Sequence, residues 1–234
     1  MKNCITLSIL LALLIKANAQ ENTTDAQHRI AFAMGVNYLF PQTDNDLNIA
    51  AKEAGFNGSF TYTFNLGKVG FQLSPFAKLH AGEDFEGMKQ YYKEKNITLT
   101  SYDGGAYLST GMSIGLEFTL IDNGKLPIIS TYLQYGMSSV RVPELQLNSE
   151  TGLESVFIRT DAGLALGSNL NVGINCDVFK SGNSIYSVKV GIMSENANVA
   201  IPTTTFTDVT TRSLEIFPWR SLSGYLNLAM AFDL

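Results

Sequence analysis

Apolar and polar residues alternate with a period of two along most of the chain. From Ile30 to Phe40 the even positions are Ile30, Phe32, Met34, Val36, Tyr38 and Phe40, while the odd ones are small or polar apart from Leu39. The same alternation runs over 56–66, 69–79, 106–120, 129–137, 158–166, 170–178, 186–192 and 222–234. A period of two puts successive side chains on opposite faces of an extended chain, so each run predicts a strand with one apolar face. The stretch Val199 to Val209, rich in Thr and broken by Pro202, is a weaker further strand. The expected fold class is all-β: a closed antiparallel up-and-down β-barrel of ten strands, with eight as the alternative. An even number is required because both ends of the sheet are expected on the same side.

The connections predict the same architecture. Gly67-Lys68, 121–126 and 167–169 are short, whereas 41–55, 80–104 and 140–156 are long. Short turns at one end and long loops at the other are the habit of barrels that cross a membrane. In this scheme Ser181-Gly182-Asn183 is short where a long loop is expected. Pro75 falls inside the third strand and has no N–H for the ladder, which predicts a β-bulge there.

The less apolar face is made of Gly, Ser, Asn and Thr rather than Lys and Glu. Small polar side chains suit the crowded interior of a narrow barrel, which turns the apolar face outward toward lipid. Aromatic residues on that face sort by height. Phe32, Phe64, Phe71, Phe118 and Phe232 fall near the turn end, and Tyr38, Phe40 and Phe56 near the loop end, as two interfacial girdles would. The predicted interior carries Lys78, Arg159 and Lys189 against Glu117, Asp161 and Asp177. Burial of any one alone is costly, so an ion-pair network that plugs the lumen is expected, with a selectivity ring in a water-filled pore as the alternative. By height, Lys78, Arg159, Asp161 and Asp177 are expected toward the loops, and Glu117 and Lys189 lower.

The N-terminus reads as an address. Lys2, an apolar run from Ile5 to Ile15 and the Ala17-Asn18-Ala19 site predict a secretory signal peptide over 1–19. Residues 20–29 are expected to be an N-terminal periplasmic segment, and 30–234 a transmembrane barrel. Only 16% of the 234 residues are charged, fewer than in an ordinary soluble domain. The net charge of −5 gives nucleic acid no electrostatic footprint. Cys176 alone remains after signal removal, so no internal disulfide is expected, and the spacing of Cys and His matches no metal site. No cofactor fingerprint is present. His80, at the end of the third strand near Asp84, Ser101 and Asp103, is the one rim position with catalytic residue types, but no motif fixes a nucleophile beside it, and His28 precedes the first strand. The chain is not expected to be an enzyme. Loop 80–104, with Phe85, Tyr91 and Tyr92, is expected to lengthen its flanking strands, its aromatics packing on each other or meeting a partner.

A signal peptide, alternating strands and a final strand Tyr225-Leu226-Asn227-Leu228-Ala229-Met230-Ala231-Phe232-Asp233-Leu234 together resemble the small outer-membrane β-barrel (porin-like) proteins of Gram-negative bacteria. The resemblance spans nearly all of the chain beyond residue 19 and rests on pattern. It implies a place in the bacterial outer membrane, contact with outer-membrane lipid, and recognition of the last strand by the barrel-assembly machinery through Tyr225, Leu228, Met230, Phe232 and Leu234. The expected function is a structural, interaction or slow-permeation role. The alternatives are a passive channel for small solutes, a rim-active lipid- or peptide-modifying barrel enzyme, and a soluble secreted ligand-binding barrel.

Overall fold

A computed structural model describes residues 27–40, 51–82, 85–94, 98–103, 105–122, 126–142, 145–151, 154–160, 163–206 and 211–234. The signal peptide expected over 1–19 and most of the segment 20–29 lie outside these residues. The strands are β1 (Gln27–Leu39), β2 (Ala51–Leu66), β3 (Val69–Gly82), β4 (Thr98–Asp103), β5 (Ala106–Ile121), β6 (Ile128–Val142), β7 (Leu145–Thr151), β8 (Glu154–Thr160), β9 (Gly163–Ser181), β10 (Ser184–Phe206) and β11 (Thr211–Asp233). One helix, α1, spans Phe85–Glu94.

Eight of the strands close a barrel in the order β1-β2-β3-β5-β6-β9-β10-β11, with β11 pairing back onto β1 from Arg29↔Asp233 to Leu39↔Ser223. Every neighbouring pair is antiparallel. The count is therefore eight, not ten. The runs 158–166 and 170–178 do not make two barrel strands, because β9 passes unbroken through 167–169, where a turn was expected. Residues 199–206 form the upper part of β10 rather than a strand of their own. With these mergers Ser181-Gly182-Asn183 falls at the turn end, where a short connection belongs.

The miscount has a physical cause. A tilted strand crosses a bilayer in about 9–11 residues, but β9, β10 and β11 run for 19, 23 and 23 residues. The upper parts of β10 and β11 leave the lipid, and the pattern inverts there, whereas β9 keeps its phase and is interrupted only by the turn-like Gly167-Ser168-Asn169. In β10, Ser194, Asn196 and Asn198 face outward and are exposed, while Ala197 and Val199 are buried inside. Lower down the barrel the polarity is the reverse. Met34, Phe56, Leu73, Ile114, Leu133, Val172, Val190 and Leu228, one from each of the eight strands, are exposed on the outer surface. Ser113, Ser130, Gln134, Asn171, Asn175 and Ser187 are buried within. An apolar belt reaching around the whole circumference has no soluble counterpart among ordinary monomers. The greasy face is thus outermost and the small polar face lines the axis.

Pro75 sits in β3 without a bulge, contrary to expectation. Ser59↔Phe76 and Tyr62↔Leu73 keep one register on either side of it, so no extra residue is inserted. Instead the β2–β3 ladder skips the pairings of Phe60 and Thr61. Toward β5 the register runs unbroken through Pro75↔Met112. Inside the wall, Thr61 Oγ1 and Ser74 Oγ hydrogen-bond at 2.9 Å across the skipped rungs.

Above the barrel, β8 pairs with the top of β10 from Thr203↔Thr160 to Phe206↔Phe157, β7 with β8, and β4 with β7. Loop 80–104 does not simply lengthen its flanking strands. It folds into α1 and β4, because Phe85, Met88 and Tyr92 recur at helical spacing and make one apolar face. The side chain of Tyr91 lies outside the described residues.

Met34 and Leu228, 74% and 71% exposed, face each other across β1 and β11 at the middle of the belt. Met34→Arg is expected to destabilise the folded barrel in lipid vesicles by about 2–4 kcal/mol, the cost of an arginine on a lipid face near the midplane. Asn198→Arg, above the belt, is expected to change stability by less than about 0.5 kcal/mol. Urea unfolding titrations of both variants check the pair.

Candidate functional site in the barrel lumen

The inward side chains are stacked in tiers. At the loop end, α1 and β4 lower Met88 and Leu99 into the mouth, where they pack against Leu39, Val140, Tyr107 and Trp219. The rings of Tyr107 and Trp219 stack at 5.6 Å and 18°. This tier is apolar because it lies above the lipid, where the inside of the wall is an ordinary water-excluding core.

Beneath it, Lys78 of β3 and Glu195 of β10 meet at 2.6 Å, with side chains only 4% and 1% exposed. β3 and β10 are four strands apart in either direction around the barrel, so the pair spans the lumen along a diameter. Ser109 donates to Glu195 Oε1, and Ser221 donates to Oε2 at 3.1 Å. Lys78 Nζ also donates to Ser223 Oγ at 3.2 Å. Each charge thus has a counter-charge and further hydrogen bonds, which is what burial of an ion pair demands.

The next tier is a neutral chain of side chains. Tyr132 and Tyr225 approach each other across Gly173 and Gly191, which share their register row. A Cβ on Gly173 would overlap Tyr132 Oη, and one on Gly191 would fall 2.5 Å from Tyr225 Oη. The two glycines therefore make room for the two rings, whose hydroxyls hydrogen-bond to each other. Tyr225 Oη donates to Asn171 Oδ1 at 2.7 Å, Asn171 Nδ2 to Gln134 Oε1 at 2.9 Å, Gln134 Nε2 to Gln72 Oε1 at 2.7 Å, and Gln72 Nε2 to Glu117 Oε2 at 2.6 Å. Ser130 donates to the other carboxylate oxygen of Glu117. Every amide in the chain points its donor toward Glu117, so the aligned dipoles favour the negative charge at its end.

At the turn end, Arg29 donates from Nη1 to Asp177 Oδ2 at 2.9 Å and from Nε to Asp233 Oδ1 at 2.8 Å. Asn175 and Ser187 donate to Asp177 Oδ1 at 2.9 and 2.6 Å. Lys189 interacts at longer range with Glu117 and Asp177. Between this tier and the Lys78–Glu195 pair lies a cavity of about 40 Å³.

Of the six residues expected to form the interior network, Lys78, Glu117, Asp177 and Lys189 face the lumen. The side chain of Arg159 and the whole of Asp161 lie outside the described residues. Asp177 sits at the turn end, not toward the loops, because β9 descends without the expected turn at 167–169. Two ion-pair partners were absent from the sequence reading. Glu195 lies just beyond the 186–192 run, where the outward positions turn polar. Arg29 lies one residue before the first run. Both hold the inward phase of their strands, and that phase was the available signal. His80 does not stand exposed at the rim. It is near the loop end of β3, in register with Tyr107, but buried at 3% exposure rather than on the surface, with Nε2 2.9 Å from Asn37 Nδ2. His28 is part of β1, with Nδ1 2.6 Å from Tyr62 Oη. Among the expected girdle residues, Phe32, Phe71, Tyr38, Phe40 and Phe56 are exposed on the outer face, while Phe64, Phe118 and Phe232 are half-buried. On the last strand Tyr225 points into the lumen, whereas Leu228, Met230 and Leu234 are exposed outside.

A closed eight-stranded antiparallel barrel with an apolar circumference, a polar interior knit by hydrogen bonds and ion pairs, and short turns at one end is a transmembrane β-barrel of the outer-membrane type. No protein-family model matches the chain, and no curated protein matches it. Among solved structures it is similar to a major outer membrane protein from Thermus thermophilus, with TM-score 0.49 and 11% identity over 90% of this chain and 100% of that one. It is also similar to Ail, the attachment invasion locus protein of Yersinia pestis, with TM-score 0.44 and 12% identity over 90% and 100%. Neisserial surface protein A is similar with TM-score 0.37 and 10% identity over 90% and 100%.

Glu195→Gln leaves the buried Lys78 ammonium without its counter-charge. It is expected to cost about 3–5 kcal/mol, whereas Lys78→Met combined with Glu195→Leu recovers most of that loss. Urea unfolding midpoints in detergent micelles measure both.

Proposed function

We propose that this protein is a bacterial outer-membrane barrel with a structural or interaction role, its lumen plugged and its chemistry non-catalytic. The diametric Lys78–Glu195 ion pair carries the reading, because it bars the axis at a level where eight strands leave no room for a second path. The apolar tier of Met88 and Leu99 above it adds a second barrier with no affinity for water or ions. Slow permeation would require both to move. The burial of His80 inside the wall against Asn37 supports a non-enzymatic role, since its ring is not presented to an outside substrate. The outer surface meets the lipid, and the last strand is the segment offered to the barrel-assembly machinery during insertion. What faces outward beyond the lipid, α1 with β4, β7 and β8, is the part available to an extracellular partner.

In planar bilayers the wild-type barrel is expected to give no resolved current steps. Glu117→Ala, which removes the acceptor at the end of the amide chain, is expected to lower stability without opening conductance. A clear single-channel current from the wild-type protein, or its appearance in Glu117→Ala, would reverse the plugged reading and favour a passive channel.

A further inference from the structure

Five strands place Lys78, Asn57, Gly35, Asn227 and Lys189 in one register row, from β3 through β2, β1 and β11 to β10. The row is symmetric in residue type, with a glycine flanked by two asparagines and those by two lysines. All four side chains line the lumen cavity. Gly35 at the centre cannot be larger, because a Cβ there would fall 2.5 Å from Asn227 Oδ1 and would overlap the carbonyl oxygen of Leu226.

The carboxamides are incompletely used. Asn57 Oδ1 and Asn227 Oδ1 are both buried without a hydrogen-bond partner, and Asn227 is 5% exposed. A buried acceptor left unsatisfied costs free energy, so both oxygens call for donors. The lysines offer the opposite. Their ammonium groups are donors at the two ends of the row, yet their charges are already balanced. Glu195 holds Lys78 at 2.6 Å, and although Lys189 makes no direct ion pair, the interior as a whole sets Arg29, Lys78 and Lys189 against Glu117, Asp177, Asp233 and Glu195, which leaves no spare positive charge. An anion would therefore add a charge with nothing left to neutralise it. A guest that both donates and accepts, and carries no charge, satisfies the whole row. The hydroxyl group is the most compact organic function with that pair of properties, smaller than a carboxamide or an imidazole.

We propose that the row is a binding site for a small neutral polyol. Size sets the scale. A water-sized group needs about 10–15 Å³ of such space, so a cavity of about 40 Å³ accepts about three such groups, enough for one hydroxyl-bearing end of a small polyol. Phe76 and Met193 also line the cavity and offer apolar contact to a short carbon skeleton. On the facing wall, the amide hydrogens of Gln134 and Asn171 are engaged in the chain that ends at Glu117, so recognition falls to the row. The site is defined by register and burial, and it stands whether or not the barrel is plugged along its axis.

The test is a titration of the folded chain in dodecylphosphocholine micelles with glycerol, following the side-chain ¹H–¹⁵N signals of the asparagines. Asn57 and Asn227 are expected to shift and saturate in the millimolar range, while the exposed Asn196 and Asn198 stay still. Acetate at the same concentrations is expected to give no saturable shift. Asn227→Ala, read on Asn57, is expected to weaken glycerol binding about tenfold, the loss of one good hydrogen bond. Heat-modifiable gel migration verifies that the variant is folded. Should it fail to fold, Asn57→Ala read on Asn227 serves instead. Shifts that rise linearly with glycerol would mean that water alone occupies the cavity, saturable shifts that survive the substitution unchanged would mean that glycerol binds without the row, and either would overturn the proposal. Saturation by acetate instead would overturn it in favour of an anion site.

Discussion

Eight strands enclose a lumen too narrow for bulk water and too wide for backbone alone to fill, so inward side chains have to reach across and satisfy one another. Everything inside this barrel follows from that constraint. Lys78 and Glu195 meet because they start from opposite walls and their lengths sum to the diameter. Tyr132 and Tyr225 lie over Gly173 and Gly191 because two large rings on one row need two absent side chains between them. Ser and Thr fill the remaining positions, being short enough to turn a hydroxyl toward whichever neighbour lacks a partner. A wall surrounded by hydrocarbon has no water to fall back on, so partners for most interior groups are a condition of folding, and the few left without one, such as Asn57 Oδ1 and Asn227 Oδ1, mark the cavity.

The interior also separates its charges. One cluster, around Arg29, Asp177 and Asp233, sits at the turn end, and a second, Lys78 with Glu195, sits higher. Between them run neutral amides and phenols, with Glu117 and Lys189 as the charged groups. The amides are not passive spacers. Their common orientation carries the influence of one carboxylate across the barrel from β5 to β11, which ties strands that share no ladder. The stability of the cylinder therefore rests on cross-axis contacts as well as on rungs between adjacent strands.

Much of this was written in the sequence, and the part that was not has a clear physical origin. Alternation is imposed by the contrast between lipid and interior, so it marks strands only where lipid is present. Phe32 to Phe40 and Leu222 to Leu234 are legible for that reason. Above the bilayer the contrast reverses, as Ser194, Asn196 and Asn198 outside Ala197 and Val199 make plain. A reader following one phase sees the strand stop at Ile192 and loses Glu195, the partner of Lys78. β9 was cut in two by the turn-like composition of Gly167-Ser168-Asn169, although Leu166 and Leu170 on either side keep one outward phase, and that cut helped produce a count of ten. The helix α1 had its own signal in the spacing of Phe85, Met88 and Tyr92, hidden by a loop rich in mixed charge. Which lysine meets which glutamate is a property of the closed cylinder, and no local pattern contains it.

The skipped rungs beside Pro75 give the cylinder a weak seam. Other irregularities fall near strand ends, at Tyr186/Ser187, Thr119/Ile121 and Ala51/Gly55, but at mid-height between Ser59 and Tyr62 the β2–β3 ladder misses two rungs, beside the hydroxyl pair of Thr61 and Ser74. Gly58 and Ala77, immediately above, present almost no bulk to the surrounding acyl chains and back directly onto the inner cavity. A hoop under strain parts where a stitch is missing. If this one ever opens, the breach would face sideways into the hydrocarbon, leaving the axial barriers untouched.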